Sequence, residues 1–134
     1  MAYSEWAYVN TETQRPERKV PDRELEVYGL GEPLDMEFER GRIAVPDTLI
    51  AKPPITVTEM HLDTNHHVNN GQYVAIACAQ VAEGTGRFTD FRCEVRRQSL
   101  LGDVLFPYVA EEDGVVTVVL NDEEGNPKLT ARFT

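Results

Sequence analysis

The chain has 134 residues, 41% of them hydrophobic, which suits one globular domain able to bury its own core. Its net charge is −10 and its pI about 4.7, so a phosphate backbone would meet a repulsive field that no Lys/Arg-rich run offsets, which argues against nucleic acid binding. No stretch approaches the roughly 20 apolar residues of a membrane span, and MAYSEWAYVN has neither a basic segment nor an apolar core, so the expectation is a soluble, cytoplasmic protein.

Taken in chain order, the sequence divides near residue 54. YSEWAYVN, rich in aromatic and β-branched residues, reads as a strand that breaks at TETQRPERKVP. PDRELEVYGLGEP places Pro21 at a first helical position, acids in the first turn, and Gly29, Gly31 and Pro33 as stops, the pattern of a short peripheral helix. LDMEFERGRIAVPDTLIAKPP has the prolines and the weak periodicity of a linker wrapped over a surface.

Residues 55–134 read as one compact unit. ITVTEMHLD alternates like a strand, and Val74, Ala77, Cys78 and Val81 then form a helical stripe that EGTG stops. Cys78 and Cys93, with no CxxC pattern, read as free, buried thiols. Four strand-like runs follow, DFRCEVRRQSL, DVLFPYVAEE, GVVTVVLNDEE and NPKLTARFT, separated by the turn signals LGD, DG and EEGN. One helix followed by hairpin-linked strands implies an α+β fold, with the helix on one face of an antiparallel sheet. Val104, Phe106, Val116 and Val118 offer apolar faces that could line an acyl tunnel or simply fill the core.

All three histidines fall in HLDTNHHVNN, residues 61–70, directly before the helix. If the chain is extended there, Asp63, Asn65 and His67 lie two apart and share one face. The helix N-terminus beyond them would supply unpaired N–H groups and the positive end of a dipole to a developing oxyanion, and a carboxylate beside an imidazole could charge it to handle water. Capping competes with this reading, because Asp and Asn are the usual N-cap residues and Asp63, Asn65, Asn69 and Asn70 all qualify. His61 and His66 receive no role. A zinc site would need more than His61, Asp63 and His67, and no remote ligand cluster exists, so no metal and no cofactor are expected. Cys78, on the expected buried face, is a poor nucleophile.

LDTNHHVNNGQYV resembles the Asp-x-Asn-x-His-Val-Asn-Asn-x-x-Tyr signature of the acyl-acyl-carrier-protein thioesterases, and the helix wrapped by a curved antiparallel sheet resembles their hotdog fold. The resemblance implies catalytic positions at Asp63, Asn65 and His67, with Val68, Asn69, Asn70 and Tyr73 completing the motif as substrate-binding positions. SEWAYVNTETQRPERKV is similar to the segment closing the first of that family's two hotdog repeats. On this resemblance residues 1–54 hold a remnant strand, short helix and linker, and 55–134 the second repeat, so the expectation is a homodimer or pairing with a second repeat. The implied substrate is an acyl thioester on acyl carrier protein or coenzyme A, the implied setting fatty acid biosynthesis.

The sequence departs from the family at CEVRRQSL, where Gln98 replaces a site glutamate and Ser99 a cysteine. Gln98 can hold water but cannot accept its proton near neutral pH; its other reading is an exposed strand residue. Arg96 and Arg97 read as solvated or sheet-edge charges. Thioester hydrolysis is therefore the leading expectation. A non-catalytic acyl-binding or structural module and an enoyl hydratase or dehydratase are the alternatives.

Overall fold

The computed structural model describes residues 3–10, 12, 13, 15–29, 31, 32, 35, 37, 39–81 and 88–134, and the chain divides into two compact units, Met1–Arg40 and Gly41–Thr134. The division lies earlier than the break at residue 54, because the chain after Arg40 already belongs to the sheet-bearing unit.

In the first unit the expected strand contracts to one antiparallel bridge, Val9 with Pro16. The turn beneath it is closed by Asn10, whose Oδ1 accepts the Glu12 and Thr13 N–H groups at 3.0 and 2.9 Å. That local bond competes with a ladder, which is how asparagine favours turns. Trp6, 76% exposed, buries little against this unit. Helix α1, Asp22–Tyr28, forms where expected. Pro21 is its N-cap rather than its first helical residue, Asp22 and Glu24 sit in the first turn, and Gly29 (φ 66°) ends it with its N–H on the Leu25 carbonyl.

The second unit is a six-stranded antiparallel sheet with one helix, α2 (Asn70–Ala79), packed on β3, β5 and β6. The strands are β1 (Ile50–Ala51), β2 (Ile55–Thr56), β3 (Phe91–Val95), β4 (Val104–Glu112), β5 (Val115–Asn121) and β6 (Pro127–Phe133). Their order is β1-β4-β5-β6-β3, with β2 also on β4. This is the expected α+β arrangement, with one correction. Strand β3 does not form a hairpin with β4; it crosses to the far edge and pairs with β6, Phe91 opposite Phe133 and Val95 opposite Leu129. Only β4, β5 and β6 are hairpin-linked. Asp113 (φ 51°) and Gly114 (φ 79°) close the first hairpin in the conformation that a two-residue turn requires.

The sheet has a helix-side core of Val57, Leu105, Val118, Leu120, Leu129 and Ala131, with Tyr73 and Ala77 entering from α2. Strand β5 is buried on its other face too, at Thr117 and Val119, which explains its unbroken VVTVVL run. Val104 and Phe106 therefore do not share a face with Val116 and Val118: Leu105 carries the core side of β4, opposite to the expected parity. Ile43, in the expected linker, is a fully packed residue at 2% exposure, and its N–H donates to Glu94 Oε1 at 2.8 Å. Arg92 donates to the Gly41 carbonyl and to Glu94, and Arg96 pairs with Glu94 at 3.1 Å, so this stretch is fastened to β3.

Pro107 stands fully buried inside β4, where it can donate to no neighbour. The chain opposite is broken at the same place. Residues 50–51 and 55–56 pair with β4 on either side of Lys52–Pro53–Pro54, and the Lys52 N–H bonds the Pro107 carbonyl at 2.9 Å. The expected strand ITVTEMHLD thus stops after Thr56. Glu59–His61 is a turn of 3₁₀ helix, fixed by the Thr58 N–H donating to His61 Nδ1 at 3.0 Å.

Candidate active site

Residues 62–68 form a tight hairpin. Leu62 and Val68 bridge, the Asp63 N–H donates to the His67 carbonyl at 2.8 Å, and the His66 N–H returns to the Asp63 carbonyl at 3.0 Å. His66 takes the left-handed position (φ 60°) that such three-residue loops need before the chain resumes. Asp63, Asn65 and His67 therefore do not alternate along an extended strand, as the sequence suggested. The chain turns, and the backbone N–H groups of Asn65 and His67 both close on Asp63.

Asp63 builds that turn. Its Oδ1 accepts the Asn65 N–H at 2.8 Å and the His67 N–H at 3.2 Å. Donation by the His67 backbone, helped by Asn65 and by the charges of His67 and His66, lowers the Asp63 carboxyl below its usual range against the opposing pull of desolvation. Asp63 thus closes a turn and caps no helix; of the four capping candidates, Asn69 is the one that caps α2. Asp63 Oδ2 makes no hydrogen bond among the described residues, nor does the half-buried His67 imidazole. Asp63 accordingly meets His67 through the backbone and its field, not through a bond to the ring. Asn65 is exposed, with its amide directed to no described partner. His61 is spent on Thr58, and no metal-binding cluster occurs among the described residues.

Helix α2 starts directly after the hairpin. Asn69 is its N-cap, with Oδ1 accepting the Gly71 N–H at 2.8 Å, and its own N–H donates to the His61 carbonyl. A Cβ at Gly71 would come within 3.1 Å of that Oδ1, so the cap and the glycine fit each other. The Asn70 N–H, next along, has no partner among the described residues, and Asn70 and Gly71 are both exposed.

Val68 and Tyr73, expected to bind substrate, are core residues at 4% and 0% exposure. The Tyr73 hydroxyl lies 2.7 Å from Ser99 Oγ and 3.3 Å from the Arg97 carbonyl, and burial raises its pKa. The buried arc of α2 is Tyr73, Ile76 and Ala77, one residue back from the expected stripe, because the tyrosine ring takes the inward position. Cys78 is consequently exposed, not buried. Cys93 is half-buried, with its thiol pKa raised by desolvation first and by the Cys78 charge second; both are free thiols. The helix ends at Ala79, and the expected stop at residues 83–86 lies outside the described residues.

Gln98 is exposed and sits just past β3 rather than on a strand. The Val68 N–H donates to the Ser99 carbonyl at 2.9 Å, which joins the chain just after His67 to the chain just after Gln98. Lys128, which sequence reading overlooked, donates to the Gln98 carbonyl at 2.9 Å. No local pattern signals this contact, since it depends on β3 having crossed to β6. Arg96 is paired with Glu94 and half-buried, against the solvated reading, whereas Arg97 is exposed.

No family model and no curated protein sequence matches the chain. Solved structures do. An acyl-ACP thioesterase from Bacteroides thetaiotaomicron superposes with a TM-score of 0.74 at 17% identity, over 93% of this chain and 51% of that one. The 12:0-ACP thioesterase from Umbellularia californica gives 0.66 at 25% identity, over 93% and 50%. A Staphylococcus aureus protein solved with CoA gives 0.56 at 19%, over 65% and 74%. The chain has the hotdog fold.

The hotdog fold accounts for the antiparallel sheet and for helix α2 lying against it. The chain spans about half the length of the two acyl-ACP thioesterases. Within this hotdog unit the hairpin, the α2 N-terminus and the segment carrying Gln98 meet at one place.

Proposed function

We propose that the protein hydrolyses acyl thioesters. One observation carries this reading: the Asp63-built hairpin delivers His67 immediately before a helix N-terminus whose Asn70 N–H is unclaimed. A thioester carbonyl oxygen placed at that N–H gains a donor where charge develops, a contribution typically of about 3–4 kcal/mol. Water held between the Asn65 amide and the free Asp63 oxygen gives a proton to the His67 imidazole as its oxygen bonds the carbonyl carbon. Collapse of the tetrahedral adduct breaks the C–S bond, and the departing thiolate takes the proton from His67. The carboxylate needs no bond to the ring to stabilise the imidazolium; its charge beside it suffices.

The likeness to two acyl-ACP thioesterases supports an acyl chain carried by acyl carrier protein, within fatty acid biosynthesis in the cytoplasm; coenzyme A is the other carrier. The half-length match, and the exposed Phe91 and Val95 on the open edge of β3, support pairing with a second copy or second hotdog repeat. Among the described residues, no helix is long and apolar enough to cross a membrane. The replacement of a carboxylate by Gln98 favours a second reading, a hotdog module that binds acyl groups without turnover. Release of free thiol from acyl-ACP and acyl-CoA substrates separates the two. Turnover abolished by His67→Ala supports hydrolysis, and acyl binding without thiol release supports the module.

A further inference from the structure

The segment after β3 is irregular, yet it is fastened at three successive carbonyls by three different elements. Arg97 O receives the Tyr73 hydroxyl of α2 at 3.3 Å, Gln98 O the Lys128 ammonium of β6 at 2.9 Å, and Ser99 O the Val68 N–H of the hairpin at 2.9 Å. A chain stretch without a ladder ordinarily leaves such carbonyls to water. The innermost tie is also the most deeply buried: Tyr73 and Ser99 are both at 0% exposure, their hydroxyls 2.7 Å apart. With one proton each, Tyr73 can donate to Arg97 while Ser99 donates to Tyr73, so both hydroxyls are satisfied. Within this fastened stretch Ser99 is buried, and the Arg97 and Gln98 side chains are exposed.

We propose that Tyr73 and Ser99 are positioning residues of the candidate site, a buried hydroxyl pair that holds the Arg97–Ser99 backbone so that the Gln98 amide faces His67. The role rests on the thioesterase reading, and it extends it by naming what sets the geometry. A packed core needs the tyrosine ring but not its hydroxyl, since a phenylalanine would fill the same volume. The hydroxyl is spent on the one segment that carries Gln98. Misplacement of a site group by about 1 Å costs on the order of 100-fold in rate, so even a slight release of this segment should be visible in turnover.

Tyr73→Phe keeps the ring and cuts the tie; Ser99→Ala cuts it from the other end and replaces Tyr73→Phe should that variant not fold. Two readouts separate this role from the activity itself. In NMR spectra of the intact protein, the Gln98 side-chain amide protons should show a nuclear Overhauser contact to the His67 ring, and the contact should vanish in either variant. In thioester hydrolysis, kcat should fall roughly 10- to 100-fold with KM within about twofold, and the double variant should lose no more than the worse single one, as expected of a coupled pair. A wild type without the Gln98–His67 contact, or a contact that survives in both variants, overturns the positioning role whatever the activity. A wild type that shows the contact and loses it in the variants, yet releases no thiol, sustains the positioning and overturns the thioesterase reading instead.

Discussion

The β4–β5–β6 meander and the site loops hold their backbones by different means. In the meander, strand residues pair in long antiparallel registers, broken by one shift between Leu120 and Asn121, and alternate side chains of β4 and β6 enter the core. At the site, residues 61–69 and 96–100 form no ladder beyond one bridge, and side chains close the bonds: Asp63 to two N–H groups, Asn69 to Gly71, Tyr73 to Ser99. The sheet thus supplies stability through many equivalent contacts, whereas the site depends on a few individual atoms. Removing one contact from the first should weaken everything slightly; removing one from the second should alter function while most of the fold remains.

The largest effect tests the sheet. Leu120→Ala, at a fully buried position, should cost about 2–5 kcal/mol in urea unfolding, chiefly through lost burial and a residual cavity. A cost near zero would mean that the core is not as closed as its burial indicates. Next comes His67→Ala, which should lower thioester hydrolysis about 100-fold or more while leaving the unfolding midpoint nearly unchanged. His61→Ala is its control: this imidazole serves the Thr58 turn, so hydrolysis should stay close to wild type. Equal small effects from the two would reduce the hairpin to a cap.

Gln98→Glu should raise turnover roughly tenfold by placing a proton acceptor beside His67, at the low end of acid–base contributions. Repulsion from Asp63 limits the gain, and an unchanged rate would place Gln98 outside the chemistry. Asn69→Ala should cost about 1 kcal/mol, as loss of an N-cap does, and should raise hydrogen exchange at Gly71 before it affects β5. The smallest effect concerns pH. The folded Asp63 carboxyl titrates below its unfolded value, so its contribution is complete above the ordinary carboxylate pKa of about 3.9 and disappears as pH falls through the lower folded value. Asp63→Asn should flatten the acid side of the thermal-stability profile in that window; profiles that coincide would show that the turn does not depend on the charge.

The same division explains what was readable in the sequence. β4, β5, β6 and the Asp113–Gly114 turn announce themselves through local period and turn chemistry, as does α1 through Pro21 and Gly29. The placement of β3 beside β6 does not, because a strand's choice of partner is made across the whole sheet. ITVTEMHLD alternates convincingly, but Thr58 and His61 satisfy each other locally and end the strand. The stripe on α2 slipped by one residue because Tyr73 and Val74 are both apolar, and period alone cannot choose between them. At the candidate site, HLDTNHHVNN drew attention by its chemistry, and its local shape was misread. The mistake lay in the backbone assumed beneath it, since a left-handed histidine is a conformation that composition does not disclose.

Pro53 and Pro54 lie on one margin of the sheet, opposite the buried Pro107, and β3 forms the other margin, with no second neighbour among the described strands. A margin that lacks amide donors is a poor template for an incoming chain, so at Pro53 and Pro54 this side of the sheet has no N–H to offer another strand.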